Sequence, residues 1–101
     1  MSNPCEIKQR ELHLIQLYSN WEFGMTPQQF YAKWAVTYEQ IALICYRSDT
    51  TVRRWFKTGK NQRYPTHNDL LHLALMNLFL EHFEEIPEQV LHCLNFNTQI
   101  E

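Results

Sequence analysis

Residues 37–56, TYEQIALICYRSDTTVRRWF, read as two short helices meeting at a tight corner. Thr37 is followed three residues later by Gln40, the spacing at which each side chain satisfies a backbone N–H at a helix entrance. A second start lies at Ser48 or Asp49, whose short oxygen-bearing side chains cap a new helix while the chain turns. Cys45, Tyr46 and Arg47 are left to carry the corner. Helices crossing this sharply need a small residue where they touch, and Ala42 supplies it. Along the second helix Val52, Trp55 and Phe56 fall at i, i+3 and i+4 and make one buried stripe. Thr50, Arg53, Arg54 and Lys57 fall on its other side.

Upstream, Thr26-Pro27 reads as an N-cap followed by the first helical residue. The helix it opens, over about residues 27–35, sets Phe30, Tyr31 and Trp34 at i, i+1 and i+4, enough to pack across the other two helices. A three-helix unit over residues 26–58 results. Asn20 to Met25 form a connector in which Gly24 permits a turn and Trp21 and Phe23 fold back onto the core. Residues 5–19 place Ile7, Leu12, Leu14, Ile15, Leu17 and Tyr18 in a helical pattern. The run ELHLIQLY also alternates as a strand would, but no second strand is written to pair with it, so the segment reads as a helix.

Downstream, Gly59 ends the second helix of the corner as its C-cap, and residues 60–65 form a basic loop. A long apolar helix over residues 66–86 follows. Thr66 or Asn68 caps it, Asp69 sits near the positive end of its dipole, and Pro87 stops it. Ten of the 14 residues from Leu70 to Phe83 are apolar, which covers far more of the circumference than the stripe of about 100° that one neighbour requires. Two surfaces must hide it: the three-helix unit, and either the N-terminal helix or the same helix of a second protomer. A short last helix over residues 88–95 uses Val90, Leu91 and Leu94, and residues 97–101 fray. The expected fold is therefore all-α, about five helices in one domain spanning residues 1–101, with a helical C-terminal part over 66–95.

The formal net charge of −2 argues against a protein that coats nucleic acid indiscriminately. That average conceals an asymmetry. Residues 47–63 hold six of the nine basic residues (Arg47, Arg53, Arg54, Lys57, Lys60 and Arg63) against Asp49 alone, a local charge of +5. Residues 64–101 hold no Lys or Arg and sum to −6. The basic cluster is the footprint of a polyanion-binding surface, weighed against an ordinary solvated helix face. Cys5, Cys45 and Cys93 are odd in number and widely spaced, so they suggest neither a disulfide framework nor a zinc site, and Cys45 reads as a small buried hydrophobe. His67, His72, His82 and His92 lack any i, i+4 pair, and His92 beside Cys93 points away from it, so neither a metal centre nor a nucleophile is written. No catalytic motif, phosphate-cradling glycine loop or cofactor signature occurs. No apolar run reaches the length of a membrane span, the N-terminus is too polar for a signal peptide, and the expectation is a cytoplasmic protein without a membrane partner.

Residues 37–56, about 20 of the 101, resemble the helix-turn-helix family of DNA-binding proteins, and the whole chain is similar to small stand-alone bacterial helix-turn-helix regulators that carry a hydrophobic helix after the motif. The resemblance implies that Tyr38 to Cys45 is the supporting helix and Asp49 to Lys57 the recognition helix. It departs from the family at Tyr46, where glycine is usual for a left-handed backbone, and a longer or differently shaped turn is expected there. The implied function is sequence-specific binding of double-stranded DNA by a transcriptional regulator. Arg53, Arg54, Thr50 and Asp49 would lie closest to base edges, and Lys57, Lys60, Arg63, Arg47 and Ser48 would hold phosphates. A homodimer is expected, through Leu71, Leu75, Leu78 and Phe79 of the apolar helix. The competing reading is an adaptor that keeps the fold and binds a larger protein partner.

Overall fold

Most of the helices begin where a side chain closes the first turn. The computed structural model describes residues 4–20 and 22–94, and among them the chain forms six α-helices and one 3₁₀ turn, with no strand. Helix α1 is Gln9–Ser19, α2 Pro27–Lys33, α3 Tyr38–Cys45, α4 Asp49–Trp55, α5 His67–Glu81 and α6 Glu88–Cys93. Helices α2, α3 and α5 open with reciprocal caps. Thr26 pairs with Gln29, Thr37 with Gln40 and Thr66 with Asp69, in each case a hydroxyl accepting from the third backbone N–H while that residue's side chain accepts from the cap N–H. Ser48 caps α4 by accepting from Thr51 N at 3.1 Å.

Helix α3 is the hub, packed against α4 on one side and α5 on the other, with α2 laid across α5. Phe30, Ile41, Val52 and Leu73 are fully buried where they meet, joined by Ala42, Cys45 and Trp55. Ala42 allows the close approach of α3 and α4 that the corner requires. Polar bonds tie the frame together: Gln28 Nε2 donates to the Trp55 carbonyl at 2.9 Å, Trp34 Nε1 to Asn77 Oδ1 at 3.0 Å, and Lys33 Nζ pairs with Glu81 at 2.7 Å.

Four expectations change. The corner is not lengthened: Tyr46 itself adopts the left-handed conformation (φ 58°, ψ 43°). The Arg47 and Tyr46 N–H groups donate back to the Ala42 and Leu43 carbonyls at 3.0 and 3.4 Å, the bond pair that normally recruits glycine. Helix α4 ends at Trp55, not at Lys57, because Phe56 and Lys57 tighten onto the Arg53 and Arg54 carbonyls; Gly59 (φ 89°) serves the following loop. The long apolar C-terminal helix is not present as one element. Helix α5 stops at Glu81, and a 3₁₀ turn, Phe83–Glu85, leads to Ile86, which lies extended before Pro87 as a residue preceding proline must. Nor does the N-terminal helix cover α5: α1 contributes no buried residue. Trp21 and residues 95–101 lie outside the described residues. No described helix is long and apolar enough to cross a membrane.

Candidate nucleic-acid interface

Helix α4 is anchored by one face and bare on the other. Val52 and Trp55 are buried against α3 and α2, while Thr50, Arg53 and Arg54 are exposed, with Lys57 continuing that side just past the helix end. At about 100° per residue these four occupy a sector of about 100°, a narrow strip with the hydrophobic anchor behind it. The loop after α4 folds back on it: Arg63 N donates to the Arg54 carbonyl at 3.1 Å. Arg54 and Arg63 thereby line a cleft of about 200 Å³ together with Thr51, Tyr64 and Arg47.

The basic residues are not equally available. Arg53 is held on the protein: its Nε donates to Asp49 Oδ2 at 2.8 Å, its terminal nitrogen to Glu39 Oε1 at 3.2 Å, and the guanidinium lies 5.8 Å from the Tyr38 ring centre. Asp49 and Glu39 are both on the surface, so this network is solvent-screened and weak enough to open. Arg54, Lys57, Lys60 and Arg63 form no ion pair among the described residues. Asp49, expected near base edges, instead holds Arg53, and Ser48, expected on phosphate, is occupied as the cap of α4.

Arg47 is a correction. Expected on phosphate, its guanidinium turns inward to Asp69, with Nε to Oδ1 at 2.9 Å and the second nitrogen to Oδ2 at 3.2 Å. Asp69 is only 2% exposed. Burial raises its pKa, but the hydrogen bond from Arg47, the bonds from Thr66 N and Oγ1, and the charge of Arg47 outweigh it and hold the carboxyl below its ordinary value. The pair clamps the corner of α3 and α4 onto the start of α5. Beneath it the Cys45 thiol lies 3.8 Å from the Asp69 carbonyl oxygen; burial first, then the Asp69 charge, against Arg47, push its pKa up to about 12, so it stays neutral.

A second surface lies away from α4. An apolar groove of about 420 Å³ runs between α3, α5 and α6, walled by Leu43, Leu75, Met76, Phe79, Leu91 and Leu94. No residue of α4 lines it. Of the residues expected at a dimer contact, Leu75 and Phe79 are in this groove, Leu71 is half-buried elsewhere on α5, and Leu78 borders an adjoining hollow with His82 and Pro87. The sequence missed the part played by Leu43, because its neighbours across the groove lie more than 25 positions away. It also missed Glu39 as a partner of Arg53, although the Asp49 to Arg53 spacing of i, i+4 was readable. Among the described residues no cluster of three His, Cys, Asp or Glu is placed to hold a metal ion. No known protein family, curated protein or solved structure matches the chain.

Proposed function

We propose that this chain is a sequence-specific double-stranded DNA-binding protein of the helix-turn-helix type, acting as a transcriptional regulator, with α4 laid in the major groove. One observation carries the reading: Thr50, Arg53 and Arg54 are exposed on a helix whose opposite face is locked into the core, and Lys57 continues their strip just past its end. A helix of this kind offers rigid, forked donors to base edges, and Arg reaches guanine O6 and N7 with two bonds. Arg54 is the first candidate base reader because nothing restrains it. Arg53 reads bases after exchanging Asp49 and Glu39 for DNA, which charges a penalty to binding at sequences that offer it no guanine. Lys57, Lys60 and Arg63 bind phosphates and fix register. Two copies on half-sites about one helical turn apart would add their contacts.

The apolar groove favours a second reading, an adaptor holding a larger protein. Selection from randomised duplex DNA at fixed salt separates the two. A recovered consensus is expected, with Arg54→Ala weakening it by about 1–3 kcal/mol and relaxing preference at one position, and Lys60→Ala weakening all sequences alike. Failure to enrich any sequence, or equal losses for both variants on every duplex, would overturn the DNA reading.

A further inference from the structure

The cleft that Arg54 and Arg63 share lies between α4, the loop after it and the start of α5, and holds about 200 Å³. Arg54 makes no side-chain hydrogen bond among the described residues, and Arg63 makes one, from Nη1 to the Gln62 carbonyl at 3.0 Å. Asp69 is the one carboxylate in the wall, and its oxygens are fully engaged: Oδ1 accepts from Arg47 Nε, and Oδ2 from the second Arg47 nitrogen, Thr66 N and Thr66 Oγ1. Arg47 and Asp69 therefore cancel. The two positive charges of Arg54 and Arg63 remain, facing a concave surface that concentrates anions.

Trp55 adds a third donor. It is 3% exposed, and its indole N–H bonds to no described residue. Among the described residues Asp49 Oδ1 is the one fully occluded side-chain N or O atom without a partner, so Trp55 Nε1 keeps an opening to solvent. Trp55 borders this cleft and a second hollow of about 410 Å³. The hollow shares Trp55, Arg63 and Tyr64 with the cleft, and Pro27, Pro65 and Leu70 give it an apolar wall. Guanidinium and indole nitrogens donate and cannot accept, so whatever fills the cleft must bring oxygens.

We propose that the cleft binds the phosphate group of a small phosphate monoester, with the organic body of the ester in the adjoining hollow. A monoester carries about −1.5 to −2 charge at neutral pH and three acceptor oxygens. It matches the two free cations and the three donor side chains Arg54, Arg63 and Trp55. An internal phosphate of DNA is a diester with a single charge, and a carboxylate has no more. Each guanidinium fork can grip such a group with two parallel bonds. Size agrees: the cleft alone falls below the roughly 300 Å³ at which pockets begin to hold a whole small molecule, and cleft and hollow together exceed it. Under the function proposed above, a bound monoester draws Arg54 off the base edge, so ligand and operator compete for one guanidinium. That consequence rests on the DNA reading, and the binding itself does not.

The test titrates the full chain with phenyl phosphate at fixed ionic strength and about pH 8, above the second phosphate pKa near 6. A proton–nitrogen correlation spectrum reads the indole N–H groups, with Trp21→Phe and Trp34→Phe identifying the Trp55 peak by elimination. That peak is expected to move saturably with a Kd of about 1 mM or below. Arg54→Gln and Arg63→Gln, both at exposed side chains, should each raise the Kd about tenfold or more, whereas Lys8→Gln, which removes the same charge from α1, should leave it within about twofold. Backbone amide peaks like those of the unmutated protein would show that the variants fold. Dimethyl phosphate, a diester, should bind about tenfold more weakly than the monoester. A Trp55 peak that stays still up to about 20 mM overturns the inference, as does an equal loss from Lys8→Gln, the mark of diffuse attraction. Equal binding of dimethyl phosphate overturns it in favour of a nucleic-acid backbone phosphate. On a selected duplex, saturating phenyl phosphate should weaken binding, and an unmoved affinity overturns the competition. Monoester binding by a protein that selects no duplex would sink the functional reading alone, and duplex selection by a protein blind to the monoester would sink this one alone.

Discussion

Tyr46 holds the corner at a cost. A residue with a Cβ in the left-handed region gives up about 1–2 kcal/mol to the clash between that Cβ and its own carbonyl region, and glycine gives up nothing there. Yet the turn cannot relax, because its two N–H groups close the end of α3 and Ser48 must arrive two residues later to cap α4. The tyrosine ring is 84% exposed and makes one edge contact, with His72, at 5.7 Å between centres, which is small recompense. Tyr46→Gly is therefore expected to stabilise the protein. Subtracting the roughly 0.4–1 kcal/mol that glycine's extra freedom adds to the unfolded chain leaves a gain of up to about 1.6 kcal/mol. Urea unfolding checks it through a higher midpoint at unchanged slope. A lower midpoint would mean that the ring contact outweighs the strain.

Between elements the decisive bond is Arg47 to Asp69, which joins the α3–α4 corner to the start of α5. Asp69 is nearly inaccessible, so Arg47→Ala would leave a buried carboxylate with only Thr66 as partner and should cost about 1–3 kcal/mol. The same pair makes stability depend on pH. The folded pKa of Asp69 lies below its unfolded value near 3.8, so the contribution is complete above that value and is lost as pH falls through the lower folded one. Acid titration of Asp69→Asn should show a flatter loss of stability below about pH 4 than the unmutated protein; parallel curves would show that another carboxylate governs acid unfolding. This bond also marks where sequence reasoning stops. Thr26, Thr37, Ser48 and Thr66 were legible as helix starts because a cap is completed within three residues. The stripe of Val52 and Trp55 was legible because helical period alone defines it. Asp69 looked like a dipole partner, and its pairing with Arg47, 22 positions away, needed the packing of α3 on α5. The end of α5 was missed for a related reason: Pro87 is visible, but the helix unwinds at His82, five residues earlier, through a 3₁₀ turn that no glycine or proline announces.

Over the whole molecule, charge and apolar surface are segregated onto different faces. Arg53, Arg54, Lys57, Lys60 and Arg63 are presented by α4 and its loop, and Glu81, Glu84, Glu85 and Glu88 by α5, α6 and the turn between them, so the acidic pI near 6.2 describes neither face. Ion pairing then decides how many cations remain for a polyanion. Arg47 is committed to Asp69 and Arg53 is shared with Asp49 and Glu39, which leaves Arg54, Lys57, Lys60 and Arg63. With Arg54 on a base edge, Lys57, Lys60 and Arg63 are the phosphate contacts; each releases condensed counterions and contributes about −0.9 to the slope of log affinity against log salt, which predicts about −2.7 per protomer and about −5.4 for a dimer on two half-sites. Fluorescence anisotropy on the selected duplex over a salt series measures that slope directly. A value steeper by about 1 per protomer would mean that Arg53 leaves its carboxylates for a phosphate instead of a base. A slope near −2.7 would indicate one bound protomer, and a slope near zero would leave the basic face without a polyanion and the DNA reading without support.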